Sequence, residues 1–174
     1  MITIISGTNR KNSNSFQIAQ QYQEMLTNHG QESTIIDLKQ LPEDFFNRTF
    51  YEENGISKEF RPTRELMKQC QKFVFIVPEY NGSFPGILKL FIDALEFPGT
   101  LKDKKCALVG LSSGIQGSAL AMSHLTDIFN YLGMHVLALK PKLTSINDRM
   151  ENGAVTDTIG KQLLEQQAKA LINF

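Results

Sequence analysis

Ile2-Thr3-Ile4-Ile5, followed after one serine by Gly7-Thr8-Asn9-Arg10-Lys11-Asn12-Ser13-Asn14-Ser15, is the stretch whose reading decides the fold. The first four residues form an apolar run, the next nine a loop rich in hydroxyls and amides, and a helical pattern follows at once. A strand that empties into a loop capping a helix makes a phosphate site. The N–H groups at a helix start have no intrahelical acceptor and lie at the positive end of the helix dipole. Thr8, Ser13 and Ser15 add hydroxyls, Asn14 an amide, and Arg10 a charge-assisted fork. Neither G-x-G-x-x-G for a dinucleotide nor G-x-x-x-x-G-K-[ST] for a nucleoside triphosphate is present. A loop built on hydroxyls suits one terminal phosphate. Its bland alternative is an ordinary capped turn.

Outward from this unit, short apolar runs alternate with helical patterns. The first helix carries Ile18, Ala19, Tyr22, Met25 and Leu26 at helical spacing, with Gly30 just past its end. Thr34–Leu38 is expected as strand two and Phe73–Val77 as strand three, the latter a continuous run that fits a strand covered on both faces. Gly86–Glu96 is expected as a helix burying Leu88, Phe91, Ile92 and Leu95. Cys106–Leu111 follows as strand four, Ser118–Leu132 as a helix stopped by Gly133, Val136–Leu139 as strand five, and Thr156–Ile172 as the closing helix. Five strands separated by helices imply an α/β fold with a parallel sheet and helices on both faces. The flavodoxin-like, doubly wound strand order 2-1-3-4-5 binds FMN where that order reverses. At 174 residues the chain is expected to be a single domain of this kind, 1–174. The stretch from Gln40 to Pro62 breaks the rhythm, holding Phe45, Phe46, Phe50, Tyr51 and Phe60 among charges. It reads as a lid over a flat ligand, a subunit contact, or a loop pinned to the body by its own aromatics.

Composition narrows the partners. Eighteen basic residues balance eighteen acidic ones, so no charge argument favours nucleic acid or an anionic membrane. Cys70 and Cys106 share no C-x-x-C spacing and read as buried thiols in a reducing cytoplasm. Met1 leads straight into a strand, leaving no room for a signal peptide, and no apolar run approaches membrane-spanning length. The expectation is a soluble, cytosolic protein. His29, His124 and His135 form no metal-ligand spacing, and no metal is expected.

Ligands of such a sheet bind beyond the carboxyl ends of the strands. Three loops converge there: the one after strand one, Pro78–Pro85 after strand three, and Ser112–Gly117 after strand four. In the second, Pro78 ends the strand, Gly82 permits close backbone approach, and Pro85 opens the next helix. Tyr80 can pack against a ring, while Asn81 and main-chain amides can bond a heterocycle edge.

On GTNRKNSNS at 7–15 and PEYNGSFPGILKLFIDAL at 78–95, the chain resembles the NADPH-dependent FMN reductase family, flavodoxin-like proteins that include quinone, azo-dye and chromate reductases. The resemblance runs through nearly the whole chain in order and spacing. It implies FMN as cofactor, NADPH or NADH as co-substrate, a small-molecule electron acceptor, and a homodimer or homotetramer. The cofactor-binding set it implies is Thr8, Arg10, Ser13 and Ser15, with Asn14 beside them, at the phosphate. Pro78, Glu79, Tyr80, Asn81 and Gly82 follow around the isoalloxazine, chiefly through main-chain groups, then Ser112, Ser113, Gly114 and Gly117 in the third loop. Thr8 stands where the family often has serine, and SSGIQGS is less glycine-rich than the family's third loop. The implied chemistry is a ping-pong cycle at one open face, in which flavin N5 carries the hydride and no catalytic side chain is required.

Two rivals remain. Gly110-Leu111-Ser112-Ser113-Gly114 matches the G-x-S-x-G of a serine hydrolase, with Asp127 and His135 downstream in the right order. An electron-carrying flavodoxin would share the fold, but such carriers are usually strongly acidic and this chain is neutral.

Overall fold

In the computed structural model, residues 1–43, 45 and 58–174 are described. They form β1 (Ile2–Ser6), α1 (Asn14–Asn28), β2 (Ser33–Asp37), α2 (Arg61–Gln69), β3 (Lys72–Pro78), α3 (Gly86–Asp93), β4 (Lys105–Leu111) and α4 (Ala119–Tyr131). After these come β5 (His135–Val136), β6 (Lys142–Leu143), a hairpin of β7 (Met150–Glu151) and β8 (Ala154–Val155), and α5 (Thr158–Asn173). The sheet is all parallel, as the alternation of elements implies, and its order β2-β1-β3-β4-β5 is the expected flavodoxin-like one.

The continuous apolar runs follow from burial on both faces. Alternate residues of a strand point to opposite sides. Phe73, Phe75 and Val77 of β3 pack with Phe91 of α3 and Phe129 of α4, whereas Val74 and Ile76 pack with Ile18 and Tyr22 of α1 and Leu164 and Leu171 of α5. Cys106 and Leu108 of β4 join the first core, and Ala107, Val109 and Leu111 join the second. Both cysteines are buried and free, and burial pushes the Cys106 thiol up to about 12.

Two differences from the sequence reading have physical causes. The fifth strand is not one run. β5 pairs only with Lys105 and Cys106, the chain then leaves the ladder, and β6 returns beside Gly110 and Leu111. Pro141 has no N–H to give the ladder, so the edge is interrupted there. The gap is filled from α5: the buried Gln167 donates Nε2–H to Leu108 O at 2.9 Å and to Leu139 O at 2.7 Å. The buried Tyr22 hydroxyl donates to Gln167 Oε1 at 3.2 Å, and burial, with Glu165 nearby, holds that phenol protonated.

Helix α2 is the second difference. It is short and mostly polar, with Leu66 and Met67 side by side and Met67 its one fully buried residue. Tertiary contacts supply the rest: Pro62 sits in the first turn, and the Lys104 ammonium donates to Met67 O (2.7 Å) and Lys68 O (2.5 Å) at the far end. In the stretch before α2, Phe45 and Phe60 are buried, with ring centroids 4.8 Å apart, and Phe60 meets Phe91 edge-on at 5.9 Å. The pinned-loop reading holds for these two. Phe46, Phe50 and Tyr51 lie outside the described residues, and with them any lid.

Candidate cofactor site

β1, β3 and β4 end side by side at one edge of the sheet, and the segments that leave them wall a cavity of about 470 Å³. That volume suits a small-molecule site. The first wall is the loop into α1. Ser13 caps the helix with extended backbone, its Oγ accepting the Phe16 N–H at 3.2 Å. Asn14 and Ser15, the first two helical residues, line the cavity, and N–H groups at those positions have no intrahelical acceptor. Thr8 is buried, with Oγ1 2.6 Å from the Tyr80 hydroxyl, and the Arg10 guanidinium lies 6.0 Å from the Tyr80 ring centroid. Tyr80 therefore ties the first loop to the second.

The second wall continues the β3–β4 ladder: the Glu79 N–H donates to Leu111 O at 3.0 Å. Tyr80 and Ser83 then exchange main-chain bonds of 2.7 and 3.0 Å around Asn81 (φ +51°) and Gly82 (φ +76°). Two successive left-handed residues are what a type I′ turn needs, and Asn-Gly is its preferred pair. Glu79 lines the cavity, and its Oε2 is buried without a hydrogen-bond partner among the described residues.

The third wall is held by Ser112. Its Oγ donates to Gly114 O and accepts the Gly117 N–H, both at 2.9 Å. The loop folds tightly back on β4: a Cβ on Gly110 would stand 2.3 Å from Gly117 O, and one on Gly117 2.8 Å from Lys142 Cβ.

Thr8, Arg10, Ser13, Asn14, Ser15, Pro78, Glu79, Tyr80, Ser112 and Ser113 thus meet at one cavity. Asn81 and Gly82 form the turn beyond Tyr80, and Gly114 and Gly117 shape the third loop without lining the cavity. Leu111, Ile146 and Asn147 line it too, unanticipated from the sequence. The same rule that singled out the other loops, a polar turn at the carboxyl end of a strand, would have found Thr144–Asp148 after the fifth strand.

The hydrolase arrangement is absent. The Ser112 hydroxyl is occupied within its own loop. His135 pairs with Lys105 at the opposite end of β4, about 20 Å away at roughly 3.3 Å per residue. Asp127 is exposed in the body of α4.

Comparison with known proteins agrees with this geometry. Residues 1–141 match the family model described as NADPH-dependent FMN reductase. An NAD(P)H-dependent FMN reductase of Pseudomonas aeruginosa is 32% identical over 130 residues, 70% of each protein. An NAD(P)H:quinone oxidoreductase of Solanum tuberosum is 32% identical over 152 residues, 82% of this chain and 74% of that one. In fold the chain is similar to FerB, a flavoenzyme NAD(P)H:(acceptor) oxidoreductase from Paracoccus denitrificans, with a TM-score of 0.81 and 21% identity over 99% of this chain and 94% of the other. With a family model covering most of its length and a cavity at the edge where that fold takes its flavin, the chain belongs to the NADPH-dependent FMN reductase family.

Proposed function

We propose that the cavity at the carboxyl edge holds FMN with its phosphate at the start of α1, and that the chain passes a hydride from NAD(P)H to a flavin, quinone or similar small acceptor in a ping-pong cycle. Membership in the family makes it an FMN-dependent NAD(P)H oxidoreductase. The observation that carries the placement is the meeting, in one cavity, of the start of α1, Arg10 and the Glu79–Tyr80 wall. A phosphomonoester fits the helix start beside Arg10.

Bound there, FMN supplies hydride acceptance and donation, so no acid–base pair of the protein is needed. The chain's own work is positional. Asn14 and Ser15 offer main-chain N–H groups to the phosphate, and Arg10, braced on the Tyr80 ring, adds a cation. The Thr8–Tyr80 bond holds the first two walls at a fixed separation. Ser112 freezes the third loop against β4, so its main chain meets the cofactor without rearrangement.

Two copies pair, in this reading, through the face of α3 and α4. An apolar groove of about 820 Å³ runs there, flanked by Phe97 and Tyr131, which are 66% and 81% exposed. Exposed aromatics beside an apolar groove are the composition of a subunit contact. We place the protein in a reducing cytoplasm, where its buried thiols stay reduced.

Flavin titration tests the phosphate placement. The parent is expected to bind FMN more tightly than riboflavin. Arg10→Ala should remove a charged hydrogen bond of about 1.5–3 kcal/mol, weakening FMN roughly 10- to 150-fold while leaving riboflavin nearly unchanged. Equal affinity of the parent for both flavins refutes the placement.

A further inference from the structure

The chain beyond β6 takes part in the cofactor cavity although it lies past residue 141, where the family match ends. Ile146, 3% exposed, and Asn147 both line the cavity. Main-chain bonds zip this segment to the third loop: Ser112 N–H to Leu143 O (3.1 Å), Ile146 N–H to Ser112 O (3.0 Å) and Ser145 N–H to Gly114 O (2.9 Å). Ser145 takes a left-handed φ of +47°, which swings the chain into a short 3₁₀ turn, Ile146–Asp148. From that turn Asn147 Oδ1 accepts the side-chain N–H of Asn14 at 3.2 Å, across 133 residues of sequence. The segment is therefore bonded to two cavity walls at once, the third loop by main chain and the first loop by a side chain.

We propose that residues 144–148 are a fourth cofactor loop, and that Asn147 is a positioning residue that sets the phosphate-binding start of α1 through Asn14. The inference rests on the reading that this cavity holds FMN by its phosphate. Asn14 is the first residue of α1, where orientation decides whether the free N–H groups converge on a phosphate oxygen. An amide on the far wall that holds the Asn14 side chain limits how far this helix start can swing. The ligand class whose affinity responds is the phosphomonoester-bearing flavin. Riboflavin, which lacks the group, reports on the rest of the cavity.

The experiment measures dissociation constants of FMN and riboflavin by flavin fluorescence on the full chain, for the parent, Asn147→Ala, Asn14→Ala and the double variant. For Asn147→Ala the expected result is an FMN affinity weakened about 2- to 10-fold, the range of one lost neutral hydrogen bond, with riboflavin changed less than about 2-fold. The double variant should be no weaker than the weaker single variant, because both remove the same contact. A role confined to packing the fourth loop would weaken both flavins equally. That result overturns the proposal, as do additive losses or an unchanged FMN-to-riboflavin ratio. Because the ratio is internal to each variant, a general loss of stability does not obscure it. A parent without preference for FMN refutes the phosphate placement itself. A parent with that preference and an unchanged ratio in Asn147→Ala refutes only the fourth loop.

Discussion

Replacing Gln167 by leucine should open the sheet edge that carries the fourth wall of the cavity. The side chain is fully buried, and it bridges β4 and the interrupted edge strand through Leu108 O at 2.9 Å and Leu139 O at 2.7 Å. It also accepts the Tyr22 hydroxyl at 3.2 Å. Leucine is close in volume but makes none of these bonds. Three bonds at about 1 kcal/mol each give about 3 kcal/mol, and two carbonyls and a hydroxyl stranded without partners raise the loss to about 3–5 kcal/mol. Against a total of about 5–15 kcal/mol for an ordinary domain, that is a large fraction. Urea unfolding followed by circular dichroism reads it as a lower midpoint. The sharper assay is a double-mutant cycle with Tyr22→Phe. In the parent, Tyr22→Phe should cost about 1 kcal/mol, since it leaves Gln167 Oε1 unpaired. In the Gln167→Leu background it should be neutral or stabilising, since it removes a stranded hydroxyl. Equal costs of Tyr22→Phe in both backgrounds would refute the reasoning, and so would a Gln167→Leu loss under about 1 kcal/mol.

Two further outcomes follow from single contacts. Gly110→Ala would set a Cβ 2.3 Å from Gly117 O and 2.7 Å from Met122 Cε, so the third loop must lift; the expected cost is about 1–3 kcal/mol in unfolding, with weaker FMN binding by titration. Glu165 accepts from His29 at 2.6 Å, and this bond first, with Lys169 second, holds its carboxyl below the usual range. A carboxyl lowered on folding stabilises above its unfolded value of about 4.3 and loses that contribution as pH falls through the folded value. The parent should therefore lose more stability than Glu165→Gln on acidification from about pH 5 to about pH 3, measured by urea midpoints, and parallel curves would exclude the linkage.

Much of the architecture was legible in the chain itself. The alternation of apolar runs with helical patterns, read outward from Ile2-Thr3-Ile4-Ile5, carries the parallel sheet, because strands buried on both faces need continuous apolar runs and a crossover after each. The loop at 7–15 was legible for the same kind of reason, since capping is a local demand met by local residue types. What tertiary structure alone decided is long-range satisfaction of polar groups. Helix α2 depends on Lys104, 36 and 37 residues from the carbonyls it caps, the broken fifth strand on Gln167 from the closing helix, and the fourth wall on an Asn14–Asn147 bond across 133 residues. None of these leaves a periodic trace, because a side chain that completes a distant backbone is chosen by where the fold brings it. Periodicity records which face a residue buries; it does not record which remote carbonyl that residue must reach.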